Sequence, residues 1–443
     1  MSQQEPFIPF KEALTFWFKL GWISFGGPAG QVALMHEELV NKRGWISEKR
    51  FLHALNYCML LPGPEAQQLA TYLGWLMHRS LGGILAGLFF ILPSFILMLV
   101  LSWLYVTYGH LMLVNEFFFG IKPVVTAIVF HAAIRIARRS LNRVSLKIIA
   151  VTSFLSILIF DAPYPAIVLV AALSGTLFGI LWPEQHGHPL GHGAVKPSLR
   201  PAVIDDDSPT PAHAIFQWGH FLRVALIGLM AFFLPMAFLI KTYGRDHLLT
   251  ELSWFFTKAA LLTFGGAYAV LPYVYHGVVE QCHWLTPGQM IDSLALGETT
   301  PGPLIMFVTF VAFMTGYLKE ALGPDLLLEG GLVAGLLVTW FTFLPSFVFI
   351  LLGGPLVEST REDIRFKTPL SAITAAVVGV IFNLALFLAY HLFWPEGFTG
   401  PFDPASLGLA MVAGIALFRY QRSMIEVIFL GGVMGLFLSH LLH

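Results

Sequence analysis

Long apolar runs recur along most of this 443-residue chain, and they constrain its fold more than any other feature. Runs of roughly 20 apolar residues are long enough to cross the hydrocarbon core of a bilayer as helices. Only 12% of the residues are charged, whereas a soluble domain carries about 25%. The sequence therefore predicts an all-α, polytopic integral membrane protein. The clearest runs are Leu81–Val106, Tyr164–Trp182, Phe221–Ile240, Leu332–Leu352 and Ser371–Leu392.

Composition and short motifs argue against nucleic-acid binding, metal sites and bound cofactors. The net charge of −1 gives no bulk attraction to nucleic acid. Cys58 and Cys282 lie in unrelated contexts and predict neither a disulfide framework nor a metal site. His186, His188 and His192 fall in a polar stretch, and such short tracts are weak metal motifs, so no metal is predicted. No nucleotide-binding loop or haem motif occurs, so no cofactor and no direct ATP drive are expected.

The two halves of the chain repeat one another. The first two shared motifs below recur after 239 positions (301 − 62), and the third recurs after 252 (344 − 92), so a short insertion near 319–328 separates the two registers. Several motifs in the same order indicate an internal repeat. The motifs are FGG at 25–27 and 264–266, PGP at 62–64 and 301–303, and LPSF at 92–95 and 344–347.

The chain is predicted to divide into four parts. Residues 1–182 form an N-terminal repeat, and 183–214 form a hydrophilic linker rich in proline, glycine and charge. Residues 215–245 form an extra transmembrane helix with no partner in the first half, and 246–443 form the C-terminal repeat. An odd extra span turns the second half over in the membrane, so we expect inverted-topology repeats.

The distribution of basic residues favours helices that are broken or re-entrant. Lysine and arginine prefer cytoplasmic loops. The loop at 41–50 is basic, whereas its counterpart at 280–290 contains no lysine or arginine. If every apolar segment crossed once, the basic cluster at 135–147 would lie on the opposite side from 41–50. Segments that turn back at their glycine and proline breaks put both clusters in the cytoplasm. About 13 apolar segments are then expected, with the N-terminus cytoplasmic and the C-terminus periplasmic.

Four glycine and proline breaks interrupt the apolar segments at matching places in the two halves. Unpaired backbone groups are costly in lipid, so they are tolerated only inside protein or beside a polar cavity. The amino ends of half-helices attract anions. The breaks therefore predict an anion site near the midplane, although such residues can also serve close helix packing or kinks. The candidate ligands are Ser24, Gly26, Gly27, Pro62, Gly63, Pro64, Gln67, Gln68, Thr263, Gly265, Gly266, Thr299, Thr300 and Gly302.

Four charged residues lie close to the breaks. Lys19 and Lys258 each precede a glycine pair within an apolar segment, where a lysine could neutralise a bound oxyanion. The alternative is that each lysine extends towards the membrane interface. Glu65 and Glu298 flank the two PGP turns, where a desolvated carboxyl group could exchange protons. They are the proton-coupling candidates, and capping of a helix amino end is their alternative role.

The motifs SFGGP, RGW and LPGPEAQQLATYLGW, with TFGG and TPGP in the second half, resemble the chromate ion transporter family in its long, two-domain form. The resemblance implies two homologous domains in opposite orientations. It also implies export of chromate across the bacterial inner membrane, which gives chromate resistance. Sulfate stays a second candidate because it is also a tetrahedral dianion. An anion channel and a membrane-embedded enzyme are the alternatives of another class, and enzyme activity is not expected. Leu304 stands where the first half has Glu65, so the halves are chemically unequal.

Overall fold

The computed structural model of the chain describes residues 8–160, 162–181, 202–205, 211–264, 266–359, 367–395, 397 and 399–442. Within these residues the secondary structure is helical, apart from an isolated β-bridge between Ile46 and Ile204. The first half contains α1 (Phe10–Ile23), α2 (Gly27–His36), α3 (Glu48–Leu60), α4 (Glu65–Tyr108), α5 (Met112–Ser140), α6 (Val144–Phe160) and α7 (Tyr164–Leu181).

Helix α8 (Trp218–Tyr243) follows the linker and packs against the second half. The predicted linker lies mostly outside the described residues, as do His186, His188 and His192. One described piece of it stays on the protein, because Ile204 donates its N–H to the Trp45 carbonyl at 3.0 Å. The second half contains α9 (Leu248–Leu261), α10 (Ala267–Tyr275), α11 (Pro287–Thr299), α12 (Phe307–Leu318), α13 (Leu327–Ser359), α14 (Lys367–Phe393), α15 (Pro404–Phe418) and α16 (Met424–Leu442).

Five helices among the described residues are long and apolar enough to cross a membrane: α4, α5, α8, α13 and α14. Four of the five apolar runs chosen from the sequence lie inside these helices, and the fifth coincides with α7. Large apolar side chains point outward, for example Phe233 at 58% and Phe238 at 63% exposure on α8. A lipid-facing surface explains this exposure, because hydrocarbon tails are as apolar as these side chains. The prediction of an all-α, multi-pass membrane protein is confirmed, and the count of 13 segments stays a prediction.

Six short helices flank the predicted breaks. Helices α1, α2 and α3 contain 14, 10 and 13 residues, and α9, α10 and α11 contain 14, 9 and 13. A helix needs about 20 residues to span a bilayer, so none of these six is long enough. Positive φ angles interrupt the chain between them, at +90° for Gly26, +68° for Gly27 and +99° for Gly266. Glycine adopts this region readily because it has no Cβ.

Helix boundaries correspond between the halves. A π-helical turn at Glu37–Lys42 follows α2, and another at His276–Gln281 follows α10, 239 positions later (276 − 37). Because π-helices are rare, such a match is informative. Helices α3 and α11 begin and end at the same offset. The insertion predicted near 319–328 falls in the turn between α12 and α13. Inversion of the two halves stays a prediction.

Candidate anion-binding site

The four breaks meet in two pairs, and each pair joins the two halves of the chain. The Gly63 N–H donates to the Thr263 carbonyl at 2.7 Å, and the Gly302 N–H donates to the Ser24 carbonyl at 2.8 Å. Thr263 and Gly302 stand 239 positions after Ser24 and Gly63 (263 − 24, 302 − 63), so the two hydrogen bonds are equivalent with the halves exchanged. We call these pairs the Gly63–Thr263 crossing and the Gly302–Ser24 crossing.

The LPSF motifs close each crossing from the other half. A Cβ built on Gly63 would lie 2.2 Å from Ser346 Oγ, and one built on Gly302 would lie 2.8 Å from Ser94 Cβ. The two glycines also have φ angles of +129° and +94°. Both turns therefore need glycine for its backbone conformation and for the space that it leaves.

Two glutamines of the first half bind the crossings. Gln31 donates through Nε2 to the Gly302 carbonyl and to the Ser24 carbonyl, the second at 3.3 Å. Gln68 donates through Nε2 to the Pro62 carbonyl at 2.8 Å. Gln68 is among the predicted ligands, whereas sequence reasoning missed Gln31. The available signal was an amide one helical turn after Gly27 in an apolar segment.

Most of the predicted hydroxyl donors already have acceptors on their own helices. Thr263 donates to the Ala259 carbonyl at 2.7 Å, Thr299 to the Ala295 carbonyl at 3.1 Å, and Thr300 to the Gly297 carbonyl at 3.3 Å. Such bonds leave these hydroxyl groups little capacity to bind an anion.

Other polar atoms at the crossings have no partner within the described part of the chain. The Ser24 hydroxyl is fully buried and makes no hydrogen bond there. The side-chain carbonyl oxygens of Gln31, Gln67 and Gln68 are also buried and accept no hydrogen bond there. Buried polar groups are usually paired, and an unpaired group costs free energy. The crossings are therefore places where a ligand or water would gain hydrogen bonds.

The remaining predicted residues include glycines and a proline at helix starts and two exposed lysines. Gly26 and Gly27 form the turn that opens α2, and Pro64 precedes the first residue of α4. Lys19 and Lys258 are exposed on α1 and α9. Gly265 lies outside the described residues.

A cavity of about 630 Å³ lies beside the Gly63–Thr263 crossing. Glu65 lines it, and a Cβ built on Gly266 would lie 4.0 Å from Glu65 Oε1. Tyr268 also lines it and donates its hydroxyl to the Glu298 carboxylate. Of the two predicted proton-coupling candidates, Glu65 thus lines the cavity, whereas Glu298 is connected to it through the Tyr268 hydroxyl. The other lining residues with ionisable side chains are His36, Glu37, Glu48, Arg135 and Arg139.

Arg135 and Arg139 were interpreted from the sequence only as markers of a cytoplasmic loop. They lie four residues apart near the end of α5, which places them on one face of the helix. That spacing was the signal that could have identified them as residues of a site.

Two charge pairs, each with a buried carboxylate, also connect the halves. Arg50 lies 3.5 Å from Glu358, which accepts the Tyr72 hydroxyl at 2.6 Å. Asp292 lies 3.9 Å from Lys122 and accepts the hydroxyl of a tyrosine on α4 at 2.8 Å. A buried ion pair is costly to break, because the remaining charge loses its compensation. These pairs are suited to holding α3 and α11 against the opposite half.

Comparison with known proteins identifies the family. The model of the chromate transporter family matches residues 11–176 and again residues 250–436. The chromate transport protein of Cupriavidus metallidurans is 26% identical over 99% of this chain and 95% of its own length. That of Pseudomonas aeruginosa is 31% identical over 85% of this chain and 80% of its own. The uncharacterized transporter YwrB of Bacillus subtilis is 29% identical over 30% of this chain and 68% of its own. No solved structure matches the chain. The chain belongs to the chromate transporter family.

Proposed function

We propose that this protein is a secondary transporter that exports chromate across the cytoplasmic membrane and thereby confers chromate resistance. The family and the names of its relatives support chromate as the substrate. The observation that carries the mechanism is the pairing of the four breaks at two crossings. Interrupted helices that meet inside a protein are the usual setting of an ion site in transporters, because only there can open backbone be tolerated.

The two halves act as inverted repeats in this proposal. The exchanged hydrogen bonds at the crossings and the matched π-helical turns support a two-fold relation between them. The cavity takes Glu48 from the basic loop at 41–50 and Arg139 from the cluster at 135–147, which supports a common cytoplasmic face for both. The N-terminus then lies in the cytoplasm and the C-terminus in the periplasm.

The anion is proposed to bind at the breaks, where the buried Ser24 hydroxyl has no hydrogen-bond partner among the described residues and can donate to it. The unpaired atoms of Gln67 and Gln68 are carbonyl oxygens, so these residues can bind an anion only through their amide N–H groups. The inside-negative membrane potential contributes about 2.3 kcal/mol per charge per 100 mV, so a dianion that leaves the cell alone gains about twice that amount. Glu65 and Glu298 are proposed to exchange protons during transport, because Glu65 lines the cavity that adjoins a crossing and Glu298 accepts a hydrogen bond from Tyr268, which also lines it.

Sulfate is the second candidate substrate. The atoms at the crossings are backbone, amide and hydroxyl groups, which recognise a tetrahedral dianion by its oxygens rather than by its central atom. A site for chromate is therefore expected to bind sulfate as well.

Inside-out membrane vesicles provide the test, with chromate uptake measured with and without a pH gradient and with competing sulfate. Saturable uptake that is driven by the gradient and blocked by sulfate supports export through a shared dianion site. Absence of uptake by vesicles that contain the protein refutes chromate export. Uptake that does not saturate and ignores the gradient indicates a channel, and reduction of chromate in the vesicles indicates an enzyme.

The proton-coupling role of Glu65 has its own test. Glu65→Gln should flatten the dependence of uptake on pH, because glutamine cannot carry the proton. Glu329→Gln is the matched control, since Glu329 is an exposed residue in the first turn of α13. An unchanged pH profile in Glu65→Gln would remove Glu65 from this role.

A further inference from the structure

The end of α5 presents two guanidinium groups to the cavity beside the Gly63–Thr263 crossing. Arg135 and Arg139 both line this cavity. Arg138 lies between them in sequence but lines a separate groove with Lys147. Two of the three neighbouring arginines therefore line the cavity. In the described part of the chain Arg135 forms no ion pair.

Two carboxylates lie near the same guanidinium groups. Glu65 is within electrostatic reach of Arg139, and Glu298 is within electrostatic reach of Arg135. Glu298 connects to the cavity through the Tyr268 hydroxyl. Charges interact more strongly inside a protein than in bulk water. A carboxylate near an arginine therefore reduces the attraction of that arginine for any other anion in the cavity.

We propose that Arg135 and Arg139 bind the transported tetrahedral dianion, and that Glu65 and Glu298 compete with it for their positive charge. This inference rests on the proposed function, because it names the ligands of the same transport site. Two guanidinium groups balance the charge of a dianion, and their planar forks match its oxygen atoms.

The backbone completes the site. Gly266 has no side chain to fill the space beside Glu65. Helix α10 begins at the next residue, so its amino end, which carries a partial positive charge, lies at the cavity wall. Lys19 and Lys258 are exposed and do not line the cavity. The arginines rather than these lysines therefore supply the positive charge at the site.

Equilibrium binding of radiolabelled sulfate to the full chain in lipid nanodiscs tests the assignment, with chromate as competitor and nitrate as the anion of different shape and charge. Arg135→Gln and Arg139→Gln should each weaken sulfate binding by roughly 10- to 100-fold, the size expected for loss of one charge-assisted interaction. Arg138→Gln is the matched control on the same helix and should bind like the unmodified protein. Arg135→Lys keeps the charge and should lose less affinity than Arg135→Gln.

Glu65→Gln gives a change of opposite sign, which general damage to the fold would not produce. Removal of this competing charge should tighten sulfate binding by roughly 3- to 10-fold. Thermal unfolding of every variant checks that it is folded.

The proposal is overturned if Arg135→Gln and Arg139→Gln bind sulfate normally, if Arg138→Gln weakens binding equally, or if the unmodified protein binds no tetrahedral dianion. Arginine-dependent binding without chromate uptake by vesicles would support this site and refute chromate export. Chromate uptake that survives in both arginine variants would support export and overturn the assignment of the arginines.

Discussion

Replacement of Gly302 by alanine tests whether the Gly302–Ser24 crossing is as tight as the structure describes it. The new Cβ would lie 2.8 Å from Ser94 Cβ and 3.3 Å from the Phe90 carbonyl oxygen. Neither neighbour is the end of a flexible side chain, so the helix backbone must move. The φ angle of +94° adds strain of its own. We expect about 1–3 kcal/mol from the backbone conformation and about 1–3 kcal/mol from overpacking.

A second glycine separates these two contributions. Gly244 has a φ angle of +99°, and a Cβ built on it meets nothing within 4 Å. Gly244→Ala should therefore show only the backbone contribution. The difference between the free energies of unfolding of the two variants then measures the steric contribution at the crossing.

Ser94→Gly should relieve the clash, because it removes the Cβ that the new alanine would meet. The Ser94 hydroxyl makes no hydrogen bond among the described residues, so its removal breaks no hydrogen bond there. In a double-mutant cycle, Gly302→Ala and Ser94→Gly should couple favourably by about 1–3 kcal/mol.

Unfolding by denaturing detergent in mixed micelles measures all four proteins of the cycle, and vesicle uptake measures transport. A Gly302→Ala protein no less stable than Gly244→Ala, or the absence of coupling with Ser94→Gly, would refute the close approach at the crossing.

Three further substitutions address other parts of the structure. Arg50→Met should destabilise the protein by about 3–5 kcal/mol, because it leaves the buried Glu358 carboxylate without its ion pair; adding Glu358→Leu should recover much of this loss, and detergent unfolding measures both. Gln31→Leu should cost about 1–3 kcal/mol, since the Gly302 carbonyl would lose its amide donor; equal stability would contradict the bridging role of Gln31. Arg79→Gly should stabilise the protein by about 1–3 kcal/mol, because Arg79 has a φ angle of +56°, and Arg79→Ala should not.

Local patterns in the sequence were enough to predict the helices and their interruptions. The apolar runs became α4, α7, α8, α13 and α14, because length and hydropathy are properties of contiguous residues. The position of the insertion near 319–328 followed from two registers of the repeat, and the structure has a turn there. Glycine and proline predict breaks directly, because glycine extends the allowed range of φ angles and proline restricts it.

Partners across the molecule were beyond such patterns. Nothing in the sequence around Gly63 indicates that its N–H reaches Thr263, because that contact depends on how two halves pack. The hydroxyl of Thr263 illustrates the same limit: it looked like an anion ligand, but it donates to the Ala259 carbonyl. Arg135 was interpreted from the sequence only as a topology signal, and its place in the lining of the cavity became visible only in the structure.

The backbone hydrogen bonds at the two crossings join equivalent positions of the two halves, whereas the polar side chains around them are not equivalent. Gln31 corresponds to Val270 and Gln68 to Phe307 at the offset of 239 positions (270 − 31, 307 − 68). Both amides that bind the crossings therefore come from the first half.

The two proton-coupling candidates also lack charged counterparts in the repeat. Glu65 corresponds to Leu304, which is buried with 3% exposure, and Glu298 corresponds to Met59 (298 − 239). A second charged cavity at the Gly302–Ser24 crossing would need a carboxylate at position 304 and guanidinium groups facing it. Position 304 is instead occupied by the apolar side chain of Leu304. Two equivalent substrate sites are therefore not expected. In the proposed transport mechanism, the first half supplies most of the charged and polar groups that bind the ion.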